Sequence, residues 1–160
     1  MKETLGRALT EHRAETDPNS EDGRLRGRTY AIPFDKVWTK ALEIADSSWR
    51  WTVVHSDDLA GVVRCEAETL FFRRVNDVFV RVSLDENAQT RVDVISRSRT
   101  DTGDWGASVR RIGRFIKKLD RRLQATPEQI LDPTIPLSWK VADTSFEGHA
   151  ESTHNNRPDE

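Results

Sequence analysis

Two stretches of the chain repeat their apolar positions every three or four residues, which is the spacing of one helical face. The first follows Pro33, a residue that suits the first turn of a helix because its missing N–H costs nothing there. The second, residues 108–123, places an apolar face opposite a basic one. We predict a core-facing helix in each stretch. Their apolar positions are Phe34, Val37, Trp38, Ala41, Leu42 and Ala45, and then Val109, Ile112, Phe115, Ile116, Leu119 and Leu123.

Shorter runs that alternate apolar and polar residues predict strands between these helices. In one of them Trp49 is expected to share a face with Trp51, and a turn punctuated by Gly61 follows. The next two runs continue the sheet, either as two strands or as one bent strand. These strands are expected at residues 29–32, 49–54, 62–68 and 70–75.

The clearest strand pair comes next, joined by a polar loop at residues 85–90. Both of its strands alternate, so the register that satisfies both faces can be chosen. Setting Val82 opposite Val92 also sets Arg81 opposite Asp93. We therefore predict that register rather than one shifted by two residues.

The predicted order β-α-β-β-β-β-α defines the fold class. Helices at both ends of a run of strands indicate an α+β domain: an antiparallel sheet of four to five strands with both long helices on one face. A capping box in TPEQIL predicts a short helix after the second long one. We expect a disordered or loosely attached segment at 1–28, a single domain at 29–139, and an acidic disordered tail at 140–160.

Composition narrows the possible functions only slightly. The formal net charge of −2 gives no overall attraction to nucleic acid or acidic lipid. Cys65 is the only cysteine, and the four histidines are scattered, so we predict no disulfide, metal site or cofactor. The first residues are charged and no apolar run approaches the length of a spanning helix, so a cytoplasmic location is the default expectation.

The segment between the last strand and the second helix concentrates charge and glycine. If the strand continues, Ser96 and Ser98 point to the core while Arg97 and Arg99 point outward. A buried hydroxyl without a partner costs about 1–3 kcal/mol, so these serines need hydrogen bonds. Asp104 stands where a helix N-cap would be.

This junction has two interpretations. In the first it is a structural clasp, in which Asp104 caps the helix and pairs with Arg99 or Arg111 while the serines satisfy loop amides. In the second, arginines and free N–H groups at the helix start form an anion site. The ligand-binding candidates are Arg97, Arg99, Asp104, Ser108 and Arg111, and the clasp candidates are Ser96, Ser98 and Gly106.

The basic face of the second helix, residues 108–123, is another candidate. It would suit docking to nucleic acid or an anionic membrane. The alternatives are a solvated face, or neutralisation by the acidic tail of the chain itself. No phosphate-binding loop, nucleophile elbow or histidine-centred triad suggests catalysis. The basic residues are Arg110, Arg111, Arg114, Lys117, Lys118, Arg121 and Arg122.

The segment RVDVISRSRTDTGDWGASVRRI resembles the signature of the bacterial and plastid family called domain of unknown function 1499. Asp77 and the DDLAGVVRCEAET segment with Gly61 are similar to earlier parts of the family. Two positions depart from its pattern: Ser108 stands where the family usually has Asn, and Asp101 where Gly is common. The resemblance implies a domain over about residues 30–123, without an established activity. The matching residues are Ser96, Arg97, Ser98, Arg99, Asp104, Gly106, Arg111 and Ile112.

Our hypothesis from the sequence is a non-catalytic domain that binds a small anion or an acidic partner segment at the junction, with Arg97 as its first test. Electrostatic docking to nucleic acid or membrane through the basic helix is the alternative. A third possibility is a lipid-binding domain or enzyme of the helix-grip type. The segment IPFDKVWTKALE resembles the start of such domains. That possibility requires a sizeable cavity between sheet and helix.

Overall fold

The computed structural model describes residues 13–71, 73–100 and 105–134, with the side chain of Trp105 excepted. It confirms the α+β class, with seven strands where four to five were expected. The elements are β1 (Arg13–Glu15), a 3₁₀ turn (Gly23–Leu25), β2 (Arg28–Tyr30), α1 (Phe34–Ser47), β3 (Trp51–Asp57), β4 (Val62–Glu68), β5 (Val75–Leu84), β6 (Thr90–Ser98), α2 (Trp105–Leu123), a second 3₁₀ turn (Pro127–Gln129) and β7 (Ile130–Leu131).

One antiparallel sheet carries all of these strands, in the order β3-β4-β5-β6-β2-β7, with β1 also paired to β6. The predicted register of β5 and β6 is confirmed, since Val82 lies opposite Val92 and Arg81 opposite Asp93. Both helices cover the face that carries the buried valines of β5 and β6, and they contact each other. The core therefore lies between one sheet face and a layer of two helices.

The predicted apolar faces of the helices form this core. All their members are buried or partly buried, together with Ile44, which the predicted face of α1 omits. Cys65 is buried among them, and this burial raises the pKa of its thiol to about 11. A thiol in that state is a small apolar group rather than a nucleophile.

The predicted position of Trp49 is wrong. Arg50 has a φ of 63°, a left-handed conformation that breaks the alternation before β3 begins. Trp51 is partly buried against Phe115, with the two rings stacked at 6.0 Å between centroids. Trp49, by contrast, is 75% exposed.

The N-terminal segment differs most from the prediction. Residues 13–28, which the sequence led us to expect disordered or loosely attached, are part of the domain. β1 pairs with the end of β6, and Leu25 is buried in the core. β1 and β2 both lie antiparallel along the side of β6 that is not paired with β5, and residues 16–27 separate them. The rest of that segment, and the expected acidic tail at 140–160, lie outside the described residues.

A buried ion pair of β6 contacts the segment between β1 and β2. Arg91 is 0% exposed and Asp93 3%, and the guanidinium Nη2 donates to the carboxylate at 2.7 Å. The same nitrogen donates to the Arg26 carbonyl at 2.7 Å, and the Thr16 hydroxyl donates to Asp93 at 2.7 Å. Asp93 therefore pairs with Arg91 on its own strand rather than with Arg81 across the sheet.

A second polar cluster fixes α2 to β2. Asp120, the only acid of α2, accepts a hydrogen bond from the Tyr30 hydroxyl at 2.6 Å. Its carboxylate also accepts from Arg28 Nε at 3.1 Å and Nη2 at 2.6 Å. Burial, and then the hydrogen bond to Asp120, raises the pKa of Tyr30 well above its ordinary value.

Tyr30 is the only tyrosine, so its ionisation can be followed by phenolate absorbance. The unfolded phenol ionises near pH ~10, whereas the folded phenol stays protonated, so its stabilising contribution is complete below about pH 10 and falls as pH rises further. We expect phenolate absorbance to appear only together with the loss of circular dichroism in an alkaline titration. A phenolate signal near pH ~10 with intact dichroism would contradict this. Tyr30→Phe should unfold with a shallower dependence on alkaline pH.

Candidate functional site

The end of β6 divides the predicted junction site between the two faces of the sheet. Ser96 is 0% and Ser98 6% exposed, on the face that packs against the helices. Arg97 and Arg99 are exposed on the opposite face. The alternation predicted from the sequence is thus confirmed, and it separates the candidate arginines from the helix.

A hydrogen-bonded clasp joins β6 to α2 on the helix side. Ser96 Oγ donates to the buried Ser108 hydroxyl at 3.2 Å, and Arg111 Nη1 donates to Ser96 Oγ at 2.9 Å. Ser98 Oγ lies 3.2 Å from the Thr100 hydroxyl and accepts from the Thr100 amide at 3.3 Å. The two inward serines are therefore satisfied by side chains of α2 and by one loop residue.

Arg99 is held on the other face by carboxylates of neighbouring strands. Its Nε and Nη2 donate to Asp77 at 2.9 and 2.7 Å, and Nη2 also donates to Glu66. Hydrogen bonding from Arg99, with a smaller contribution from Arg64, holds the pKa of Asp77 below its ordinary value. Arg97 makes no side-chain hydrogen bond or ion pair with the described residues.

Asp104 lies outside the described residues, so its predicted cap and its predicted pairing with Arg99 or Arg111 stay predictions. Gly106 lies in the first turn of α2, where an added Cβ would be 3.3 Å from the guanidinium of Arg110. The structure brings together Ser96, Ser108 and Arg111, and it places Arg97 and Arg99 on the opposite face.

A cleft of about 720 Å³ lies between α2, the end of α1 and the turn that joins β4 to β5. The first half of the basic face of α2 forms one side. The stacked rings of Trp51 and Phe115 contribute apolar surface, and Ser48 and Thr69 contribute hydroxyl groups. We call this the basic cleft because six cations line it: Arg50, Arg74, Arg110, Arg111, Arg114 and Lys118.

Two cations of the basic cleft have no charged partner among the described residues. Among its described lining residues Glu68 is the one carboxylate, and it lies 3.4 Å from Arg50. Arg110 and Arg114 are exposed and form no side-chain hydrogen bond or ion pair with described residues. Their charges are therefore available to an anion in the cleft.

Two turns that border the basic cleft carry exposed apolar side chains. Trp49 lies before β3, while Leu70 and Phe71 follow β4; their exposed fractions are 75%, 56% and 72%. We call these three the apolar rim. The strand expected across Leu70 and Phe71 is wrong, because the Thr69 amide donates to the Arg74 carbonyl at 2.8 Å and closes a turn. The sequence offered one signal against a strand here: Leu70 and Phe71 are consecutive apolar residues and do not alternate with polar ones.

Other kinds of site have less support in the described part of the chain. No group of three or more His, Cys, Asp and Glu residues there is placed to hold a metal ion. No helix within the described ranges is long and apolar enough to cross a membrane. The basic cleft is a concave feature of the described residues that combines charge with apolar surface.

Comparison with known proteins gives one match. The family model described as "Protein of unknown function (DUF1499)" matches residues 8–119, which is more than half of the chain. Neither the curated proteins nor the solved structures contain a match. The matched range includes β1 and most of α2, so it agrees with an ordered domain that begins before residue 28.

Proposed function

The chain belongs to the family of proteins of unknown function DUF1499, and we propose that this member is a binding domain that holds a small anionic ligand in the basic cleft. The observation that carries the proposal is that Arg110 and Arg114, two exposed cations without a side-chain hydrogen bond or ion pair to a described residue, line a cleft of about 720 Å³. A cavity of that size suits a small molecule. The ligand it favours has an acidic group, such as a phosphate ester, attached to an apolar part.

The proposed binding site is the basic cleft on the helix side of the sheet, whereas the hypothesis from the sequence placed it at the junction of β6 and α2. Arg111 lines the basic cleft, and its Nη1 donates a hydrogen bond to Ser96 Oγ. This hydrogen bond orients the guanidinium. Arg110 and Arg114 follow on the same face of α2 and supply charge that no described residue neutralises. Arg97 and Arg99 lie on the opposite sheet face, and the carboxylates of Asp77 and Glu66 engage Arg99, so neither arginine contributes to this ligand.

The test uses phenyl phosphate, which combines a dianion with an apolar ring, in a calorimetric titration at low salt. Replacing both exposed arginines of the cleft, Arg110→Gln with Arg114→Gln, should weaken binding about tenfold or more, since hydrogen bonds to charged groups contribute about 1.5–3 kcal/mol each. The affinity of the wild type should fall as ionic strength rises.

A matched control removes the same two charges from the same helix outside the cleft. Arg121→Gln with Arg122→Gln should change the affinity less than twofold, because these exposed arginines do not line the cleft. Equal losses in both double variants would overturn the proposal in favour of non-specific attraction. A loss in Arg97→Gln alone would place the ligand on the opposite face of the sheet.

A further inference from the structure

The apolar rim is unusual for a surface that faces water. Six large apolar residues of the described chain are strongly exposed, and three of them border the basic cleft. The three come from two turns that lie side by side, since the Glu68 amide donates to the Arg50 carbonyl at 3.0 Å. Clustered exposed apolar groups mark binding surfaces, whereas single ones carry no such meaning. The six are Trp49, Val54, Leu59, Leu70, Phe71 and Leu84.

Both turns that carry the rim contain a residue with a positive φ. Arg50 and Arg73 both have positive φ values, 63° and 45°, in the turns that carry Trp49 and Phe71. A left-handed conformation at a residue other than glycine is uncommon. The guanidinium of Arg50 also lies 5.2 Å from the ring centroid of Trp49, so charge and ring are presented together.

From the rim and the cleft together we infer that the anionic ligand is the headgroup of a phospholipid, reached at the surface of an anionic membrane. This inference rests on the proposed function of the basic cleft. Tryptophan, leucine and phenylalanine side chains enter the interfacial layer of a bilayer, and arginine and lysine near it are attracted to acidic headgroups. The rim would then contact the bilayer while the cations of the cleft contact phosphate.

The chemistry of the rim favours a membrane over single-stranded nucleic acid. Binding of bases uses aromatic platforms, which stack against each base in turn. One wall ring of the cleft, Trp51, is already stacked on Phe115 with an angle of 4° between planes. Leu70 has no ring, yet it is 56% exposed beside Phe71. An aliphatic side chain at that position suits acyl chains.

The net charge of the chain bears on how it could be attracted to an acidic membrane. At −2, the protein as a whole has no net attraction to an acidic membrane, so any attraction comes from a local group of cations such as that of the cleft. Both parts are therefore needed: charge brings the cleft to the membrane, and the rim contributes burial of apolar surface once it is there. Removing either the cations of the cleft or the apolar rim should weaken binding to the membrane.

The experiment measures co-sedimentation of the full chain with vesicles of phosphatidylcholine, with or without phosphatidylglycerol. Wild type should bind the mixed vesicles and not the neutral ones. Trp49→Ser with Phe71→Ser should weaken vesicle binding about tenfold, because the rim then buries much less apolar surface in the bilayer. Arg110→Gln with Arg114→Gln should weaken binding about tenfold or more.

The matched control for the rim is Leu59→Ser, which removes a fully exposed leucine from the turn between β3 and β4, outside the cleft. It should leave vesicle binding unchanged. If the rim variant binds vesicles as wild type does and phenyl phosphate binding persists, the membrane inference is overturned and the proposed function stands. If phenyl phosphate fails to bind wild type while vesicles bind through the rim, the proposed function fails instead. Tighter binding of a single-stranded oligonucleotide than of mixed vesicles would also overturn the inference.

Discussion

Asp93→Ala is expected to lower the free energy of unfolding by about 3–5 kcal/mol, because it leaves a fully buried guanidinium without its counter-charge. Arg91 is 0% exposed and donates to both carboxylate oxygens of Asp93. The Thr16 hydroxyl, which donates to the same carboxylate, would lose its acceptor as well. Urea unfolding followed by circular dichroism measures the loss.

A surface ion pair provides the control for this change. Lys40 and Glu43 lie 2.8 Å apart on α1, and both are well exposed. Exposed pairs contribute little to stability, so Glu43→Ala should cost no more than about 0.5 kcal/mol. A cost of similar size for Asp93→Ala would mean that water reaches Arg91 between β1 and β2.

Gly61→Ala is expected to be the second strongly destabilising substitution, by about 2–5 kcal/mol. Gly61 has a φ of 65°, and an added Cβ would lie 2.2 Å from the Val82 carbonyl oxygen and 3.1 Å from the ring of Phe34. The nearest obstacle is backbone of β5, which cannot rotate away. The Gly61 carbonyl also accepts the Val82 amide at 2.8 Å, so moving the turn would break that bond.

Gly23→Ala is the matched control, since no atom lies within 4 Å of its added Cβ. Its thermal midpoint should stay close to that of wild type, whereas that of Gly61→Ala should fall by many degrees. Equal midpoints for the two variants would show that the turn between β3 and β4 adapts to a side chain.

Three of the residues that resemble the family signature make contacts that join elements of the fold. Gly61 allows the close approach to β5, and Asp77 holds Arg99 across the sheet. Ser96 receives the guanidinium of Arg111 and fixes β6 to α2. A matching signature can therefore identify the fold without naming a ligand.

Much of the central fold could be predicted because its signals are local. The two faces of β5 and β6 alternate cleanly, and one register satisfies both, so the pairing of Val82 with Val92 follows from the sequence. The helices follow from repeated apolar spacing over several turns. Even so, α2 begins at Trp105, before the first residue of the predicted stretch.

The N-terminal edge could not be predicted, because its stability comes from distant partners. β1 has three residues, of which Ala14 alone is apolar, and no pattern that short specifies a strand. Its order depends on pairing with β6, some eighty residues away in the chain. The buried ion pair of Arg91 and Asp93 could not be predicted either, because its partners Thr16 and Arg26 lie in the distant segment between β1 and β2.

Of the walls of the candidate site, the one formed by α2 could be predicted from the sequence. The basic stripe of α2 follows from the sequence, but the turns that complete the basic cleft come from other parts of the chain. Trp49 was assigned to a strand face because alternation cannot reveal the left-handed conformation of Arg50. The sequence does not show that Leu70 and Phe71 line the same cleft as Arg110 and Arg114, because this depends on the fold.

The edges of the sheet have a consequence for how the protein behaves at high concentration. Within the described residues, β3 lies at one edge, and its pairing with β4 is irregular between Val53 and His55. The opposite edge ends in β7, which has two residues. Short or irregular edges offer few aligned backbone groups to a strand of another molecule. Crowded copies of this domain therefore have little backbone to share, and aggregation by joining of sheets is disfavoured.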